Sequence, residues 1–170
     1  MSTITEFPLS SGLNEPCRNH TFLVKWDGRT IPGISRVLGL TRITEVVENR
    51  DGDNPVYRKS AGSTRFEVIT LERGLSDDTS FEDWANLIWK PDVGPGSDAL
   101  VREFRKDVVI ELYNDAEQLV RAYIVRRSWP SEYQALSTLD AGEAAVVTER
   151  IRLENEGWER DPSVNGQAEP

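Results

Sequence analysis

The stretch TRFEVITLERGLSDDTSFEDWANLIW, residues 64–89, joins two periodicities. In its first half Phe66 and Val68 point to one side and Ile69 and Leu71 to the other, as in a strand covered on both faces at its centre. Gly74 breaks it. In the second half Phe81, Trp84, Ala85 and Ile88 recur at i, i+3, i+4 and i+7, which builds one apolar stripe on a helix. Thr79 and Glu82 have the spacing of a capping box. Asp77, Asp78, Glu82 and Asp83 lie where carboxylates favour a helix N-terminus. Pro91 stops the helix, and Trp89 lies off its stripe. The acidic turn has no His, Cys or Gly-rich loop beside it, so it reads as a helix start and not as a carboxylate site.

Working outward, most of the chain alternates as strands do. Phe22, Val24 and Trp26 share one face, and the turn pair Asp27-Gly28 follows. Pro32-Gly33 marks a short irregular link. SRVLGLTRITEVVENR, residues 35–50, is rich in β-branched residues and reads as one long strand with a bulge at Gly39. The loop after it holds Asp51, Asp53 and Asn54 at the spacing of a calcium loop, but the twelfth position is Gly62 where a Glu is needed. A long hairpin tip is the better reading. Val108, Ile110 and Leu112 form the apolar face of a further strand, opposite Asp107, Val109, Glu111 and Tyr113. QLVRAYIVRRS, residues 118–128, pairs with it through the turn NDAE. Residues 129–143 read as irregular, with a helical turn near 132–136. In the last strand Val147, Ile151 and Leu153 face inward, while Thr148, Arg150, Arg152, Glu154 and Glu156 face outward. The expected fold is mainly β (α+β): a double-sheet β-barrel or sandwich with one flanking helix. The expected division is an N-terminal arm (1–19), one β-domain (20–161) and a flexible polar tail (162–170).

Composition narrows the function. The chain has 170 residues and a net charge of −9. That charge argues against a nucleic-acid surface, which needs clustered cations, and against an anionic membrane. No apolar run approaches the roughly 20 residues of a membrane span, and the first residues lack the basic and apolar regions of a signal peptide. Synthesis in the cytoplasm is the expectation. A single Cys17 and a single His20 leave no set of ligands for zinc and no ordinary nucleophile–base pair. No phosphate loop, dinucleotide fingerprint, HExxH, nucleophile elbow or CxxC occurs. The expectation is therefore no catalytic residue, no cofactor and no metal. Trp89, Trp129 and Trp158 lie near element ends and are candidate subunit contacts.

The order of the motifs FLVKWDG, GISRVLGLTRITEVVENRDG, YRKSAGSTRFEVITLERGLSDDTSFEDWAN, RKDVVIELYNDAEQLVRAYIVRRSWPSEYQ and LDAGEAAVVTERIRLENEGWERD resembles the phage tail tube protein family. The resemblance is to the tube subunits of contractile injection systems in particular, and it extends to the type VI secretion tube protein. It covers residues 20–161. It implies a structural subunit whose six copies form a ring with a continuous β-lined channel, the rings stacking into a tube propelled by sheath contraction. The implied partners are further copies of the chain, a sheath, baseplate or spike and cap proteins, and protein cargo in the lumen, within a phage-tail-like particle. Carried over by position, the long hairpin and the arm before Cys17 make ring-to-ring contacts. This nominates Glu45, Val47, Glu48, Arg50, Asp51, Asp53, Asn54, Tyr57, Arg58 and Lys59. Glu111, Tyr113, Arg121, Tyr123, Arg150, Arg152, Glu154 and Glu156 are candidates for the lumen or for contacts between subunits. A baseplate-proximal ring subunit of the same machine is one alternative. A monomeric ligand-binding β-barrel is another, disfavoured by the charged alternate positions of the strands.

Overall fold

The computed structural model describes residues 21–49, 58–88, 104–139, 142 and 146–164. Its elements in chain order are β1 (Thr21–Trp26), β2 (Arg29–Ile31), β3 (Ile34–Leu38), β4 (Arg42–Asn49), β5 (Arg58–Phe66), β6 (Ile69–Gly74), α1 (Ser80–Ile88), β7 (Lys106–Tyr113), β8 (Leu119–Gln134), β9 (Thr148–Glu154) and β10 (Trp158–Arg160).

Strand β8, 16 residues long, belongs to two leaves at once. Up to Ser128 it pairs with β7, and from Trp129 onward it pairs with β9. At the junction Arg127 takes a φ of 49°, and Ser128 is fully buried. Such a break bends a strand and lets one sheet fold over on itself. The eight-stranded sheet, in the order β2-β1-β7-β8-β9-β6-β3 with β10 beside β8, thus becomes a sandwich open at both ends. The first leaf holds β2, β1, β7, β10 and the start of β8. The second holds the end of β8, β9, β6 and β3. The corner is matched on the adjoining segment just before β10. Arg126 N–H donates to the Gly157 carbonyl at 2.8 Å, and Glu156 N–H donates to the Arg126 carbonyl at 3.1 Å. Gly157 has a φ of +135°, and a Cβ there would stand 3.2 Å from the Phe66 ring, so both backbone and space require glycine.

One apolar cluster joins the leaves. Val24, Trp26, Val108, Ile110 and Val125 meet Ile69, Leu71, Ile151 and Leu153. Helix α1 packs Phe81 and Trp84 onto it. The ring centroids of Trp26 and Trp84 lie 4.8 Å apart, and Trp84 Nε1 donates to the Phe104 carbonyl at 2.7 Å, which satisfies the one polar atom of that side chain.

Several local expectations need correction. Residues 35–49 are two strands in different sheets. Gly39 (φ +123°) and Leu40 (φ 68°) redirect the chain between β3 and β4, so Gly39 is a sheet-switching joint and not a bulge. A Cβ on Gly39 would meet the Val68 carbonyl at 3.0 Å, and this close crossing is what excludes a side chain. The stretch 64–74 is likewise split, between β5 and β6. The helical turn expected near 132–136 is absent, because β9 pairs with β8 as far as Gln134. The link before β3 contains strand β2. On the helix, Leu87 packs against the core and Ile88 is 39% exposed, so the stripe runs Phe81, Trp84, Leu87. The Thr79 hydroxyl donates to the Asp83 carboxylate at 2.8 Å, and no reciprocal Glu82 bond forms.

Strands β4 and β5 form a separate two-stranded sheet. Every residue of β4 is exposed, Ile43, Val46 and Val47 included. The register shifts by one residue where Gly62 and Ser63 stand opposite Glu45, and a Cβ on Gly62 would clash with Val47 Cγ2 at 2.9 Å.

Candidate functional site: assembly surfaces

The acidic turn of residues 77–83 has a partner that periodicity did not reveal. Arg73 is wholly buried on the core side of β6. Its guanidinium donates to Glu149, to Asp78 Oδ1 at 2.6 Å and to the Asp78 carbonyl at 2.5 Å. It also lies 4.3 Å from the Phe81 ring centroid. Tyr133 donates its hydroxyl to Glu149 at 3.1 Å. Asp78 in turn accepts from the Ser80 N–H at 3.1 Å and from the Ser80 hydroxyl, which caps α1. The network locks the helix start to β6, β8 and β9 of the second leaf.

The Ser80 hydroxyl bond, helped by the charge of Arg73 and opposed by burial, lowers the Asp78 carboxyl from 3.8 to about 2. Burial and the Glu149 charge raise the Tyr133 hydroxyl to about 12. The folded state therefore holds Asp78 ionised more tightly than the unfolded chain does. Its contribution is complete above 3.8 and is lost as pH falls toward about 2. Urea midpoints measured down that acid range should fall, and Asp78→Asn should remove part of the slope and lower the plateau above it. An unchanged slope would show that other carboxylates carry the acid response.

The nominated residues occupy different surfaces. On the outer face of the first leaf lie Glu111 and Tyr113. Glu111 accepts from Lys25 Nζ at 2.8 Å and from the Tyr113 hydroxyl at 2.6 Å. Burial opposes its ionisation, but these bonds outweigh burial and hold it below the usual range. The neighbours on that face are largely apolar: Leu23, Val109, Ala122 and Ile124. Tyr123 stacks edge-on to Trp158 on the core side, with centroids 6.0 Å apart. Arg121 is exposed, opposite Leu112. Glu156 pairs with Arg105 and Arg127 at the corner.

Arg150, Arg152 and Glu154 share the outer face of the second leaf. Two rows cross its four strands. The first is Arg36, Glu72, Arg150, Gln134; the second is Leu38, Thr70, Arg152, Glu132. Glu72 lies 3.8 Å from Arg36 and 3.7 Å from Arg150, and Arg152 lies 3.0 Å from Glu132. The face is polar and self-neutralising. Both edges of this leaf lack a strand partner among the described residues: β3 on one side, and residues 129–134 of β8 on the other. An open groove of about 320 Å³ separates the latter edge from Ala85, Asn86 and Ile88 of α1.

Of the tryptophans, Trp158 packs within its own chain, against Phe66 and Tyr123. Trp129 is half-buried, edge-on to Phe104. Glu45, Val47, Glu48, Arg58 and Lys59 lie on the exposed hairpin. Arg50, Asp51, Asp53, Asn54, Tyr57 and Trp89, together with the N-terminal arm, lie outside the described residues. Among the described residues no three His, Cys, Asp or Glu converge as a metal site would require. None of the described helices is long and apolar enough to cross a membrane.

Among the described residues, open strand edges, an uncovered hairpin and a polar outer face are the features of a β-protein whose sheets can continue into further copies. The comparisons make this specific. The chain belongs to the family described as T4-like virus tail tube protein gp19, whose model matches residues 18–159. Its fold is similar to a chain in the cryo-EM structure of an extracellular contractile injection system, the PVC sheath-tube complex in its extended state. That chain is 25% identical, with a TM-score of 0.70 over 88% of this chain and 93% of that one. A chain of the anti-feeding prophage (AFP) baseplate, 6-fold symmetrised, is 20% identical with a TM-score of 0.72, covering 92% of this chain and 100% of that one. A chain of the AFP tube-terminating cap is 19% identical with a TM-score of 0.73, covering 91% and 99%. A comparison with curated proteins finds no match.

Proposed function

We propose that this chain is the repeating structural subunit of the inner tube of a contractile phage-tail-like injection system. Six copies close a ring, rings stack into a hollow tube, and sheath contraction propels it. Its partners are then its own copies, the surrounding sheath, and baseplate, spike and cap proteins, with protein cargo in the lumen. The proposed domain is 20–161, with an arm (1–19) and a tail (162–170) at its ends. The role involves no catalytic step, and assembly takes place in the cytoplasm that makes the chain.

The second leaf carries this reading. Unpaired strand edges are sites of further pairing. A head-to-tail contact between two different edges closes into a ring when the rotation allows. Pairing β3 of one copy with the 129–134 edge of the next removes both open edges and makes the four-stranded leaves one wall. The ion-paired outer face then lines a wet channel, while the apolar outer face of the first leaf is covered by neighbouring protein. Arg150, Arg152 and Glu154 become lumen residues, and Glu111 and Tyr113 do not.

Electron microscopy of the purified protein, or of particles that contain it, tests the assembly: stacked six-membered rings are expected, and a strictly monomeric protein at high concentration opposes the reading. The face is tested by attaching a maleimide-linked gold cluster to Arg152→Cys or to Lys25→Cys, each with Cys17→Ser. Gold from Arg152→Cys should lie on the tube axis side and gold from Lys25→Cys outside it; the reverse pattern refutes the assignment. A baseplate-proximal ring subunit is the second reading, favoured by the likeness to the AFP baseplate chain.

A further inference from the structure

The two open edges of the second leaf differ in charge. Strand β3, ISRVL, has Arg36 as its single charged residue, and the opposite edge, WPSEYQ over residues 129–134, has Glu132 as its single one. Both stand on the outer face, at its two margins. The Arg36 side chain is 61% exposed, and its ion pair is with Glu72 at 3.8 Å, a carboxylate that also lies 3.7 Å from Arg150. The Glu132 side chain is 48% exposed and takes Arg152 on Oε2 at 3.0 Å.

We infer that Arg36 of one copy and Glu132 of the next form the ion pair that directs the ring seam, which rests on the tube-subunit reading above. Each of β8, β9, β6 and β3 is antiparallel to its neighbour, so β8 and β3 run in opposite directions. A copy turned about an axis along the strands therefore offers its β3 antiparallel to residues 129–134, and the seam continues the pattern of the leaf. Rows keep level under such a turn. The row Arg36, Glu72, Arg150, Gln134 then runs on into Arg36 of the next copy, which stands beside Gln134 and diagonal to Glu132. Diagonal neighbours on one face are roughly 7–8 Å apart, within reach of an arginine and a glutamate side chain. The pair selects orientation more than it adds affinity. An exposed ion pair contributes little by itself, whereas like charges facing each other are strongly unfavourable at an interface. Two β3 edges brought together would oppose Arg36 to Arg36, and two 129–134 edges would oppose Glu132 to Glu132. Either two-fold contact breaks the head-to-tail order that a cyclic ring requires. Only the head-to-tail seam joins opposite charges.

Charge reversal on separate chains tests this. Arg36→Glu puts a glutamate on both edges of one chain, and Glu132→Arg puts an arginine on both edges of the other. Neither chain alone should form rings or tubes. Mixed in equal amounts they should, because every seam of an alternating ring joins opposite charges and a ring of six, being even, closes. A chain carrying both reversals should assemble by itself. Assembly by either singly reversed chain alone would overturn the pair. So would failure of the mixture and of the doubly reversed chain where the unmodified protein forms tubes, and that outcome leaves the tube reading standing. An unmodified protein that stays monomeric at high concentration opposes the tube reading, and the pair with it. If a reversed chain shows no cooperative urea transition, Arg36→Gln and Glu132→Gln replace the reversals. Each should raise the protein concentration needed for assembly several-fold, and an unchanged threshold would overturn the pair.

Discussion

Arg73→Met is expected to destabilise the fold by about 3–5 kcal/mol, a large part of what a domain of this size has. The arginine is fully buried between Glu149, which is 4% exposed, and the helix-capping Asp78. Removing it leaves the Glu149 carboxylate in the sandwich with only the Tyr133 hydroxyl as a partner. It also frees the Asp78 carbonyl, and with it the start of α1. Lysine is no substitute, because one ammonium cannot reach the carboxylate, the carbonyl and the Phe81 face in the planar fork that a guanidinium presents. Chemical denaturation should show the loss as a lower midpoint at unchanged slope. The double variant Arg73→Met with Glu149→Leu should regain most of the stability, since replacing a buried ion pair by apolar groups is often neutral. A cost below about 1 kcal/mol for the single variant would show that the pair barely repays its desolvation.

Removing the hairpin should have the opposite signature: little change in stability and complete loss of assembly. Thr41 and Glu67 are joined by a hydrogen bond of 3.0 Å from Glu67 N–H to the Thr41 carbonyl, and Arg42 pairs with Phe66. Residues 43–65 can therefore be replaced by an Asn-Gly turn, which suits a two-residue connection. Phe66 stays in place to cover Gly157 and Trp158. Because no core residue is lost, the unfolding free energy should change by no more than about 1 kcal/mol. Light scattering should report a monomer, and micrographs should show no stacked tubes. Tubes of ordinary length from this variant would remove the hairpin from the account of stacking.

The reading from residues alone succeeded where a side chain's period and its burial coincide. Ile151 and Leu153 inward against Arg150 and Arg152 outward is a period-2 alternation, and the structure keeps it because β9 is buried on one face only. The order of motifs was enough for the family, since it samples many positions spread along the chain.

What periodicity missed lies where the chain leaves a regular element or buries a charge. Nothing in RVLGLTR announces that β3 and β4 part into separate sheets. That follows from the φ values of Gly39 and Leu40 and the close crossing at Val68. Arg73 looks like a surface charge at the end of a strand, because its burial is decided by Glu149, 76 residues away in sequence. Pro130 within WPSEYQ is an ordinary sign of irregular chain, yet pairing with β9 holds those residues in β8. By itself, then, the sequence determined the mainly β class, the helix, the alternation of the regular strands and the family. Only the tertiary structure decided which faces meet, which edges stay open and which carboxylates hold the buried arginine. Those are relations between residues far apart in the chain, and local periodicity carries no information about them.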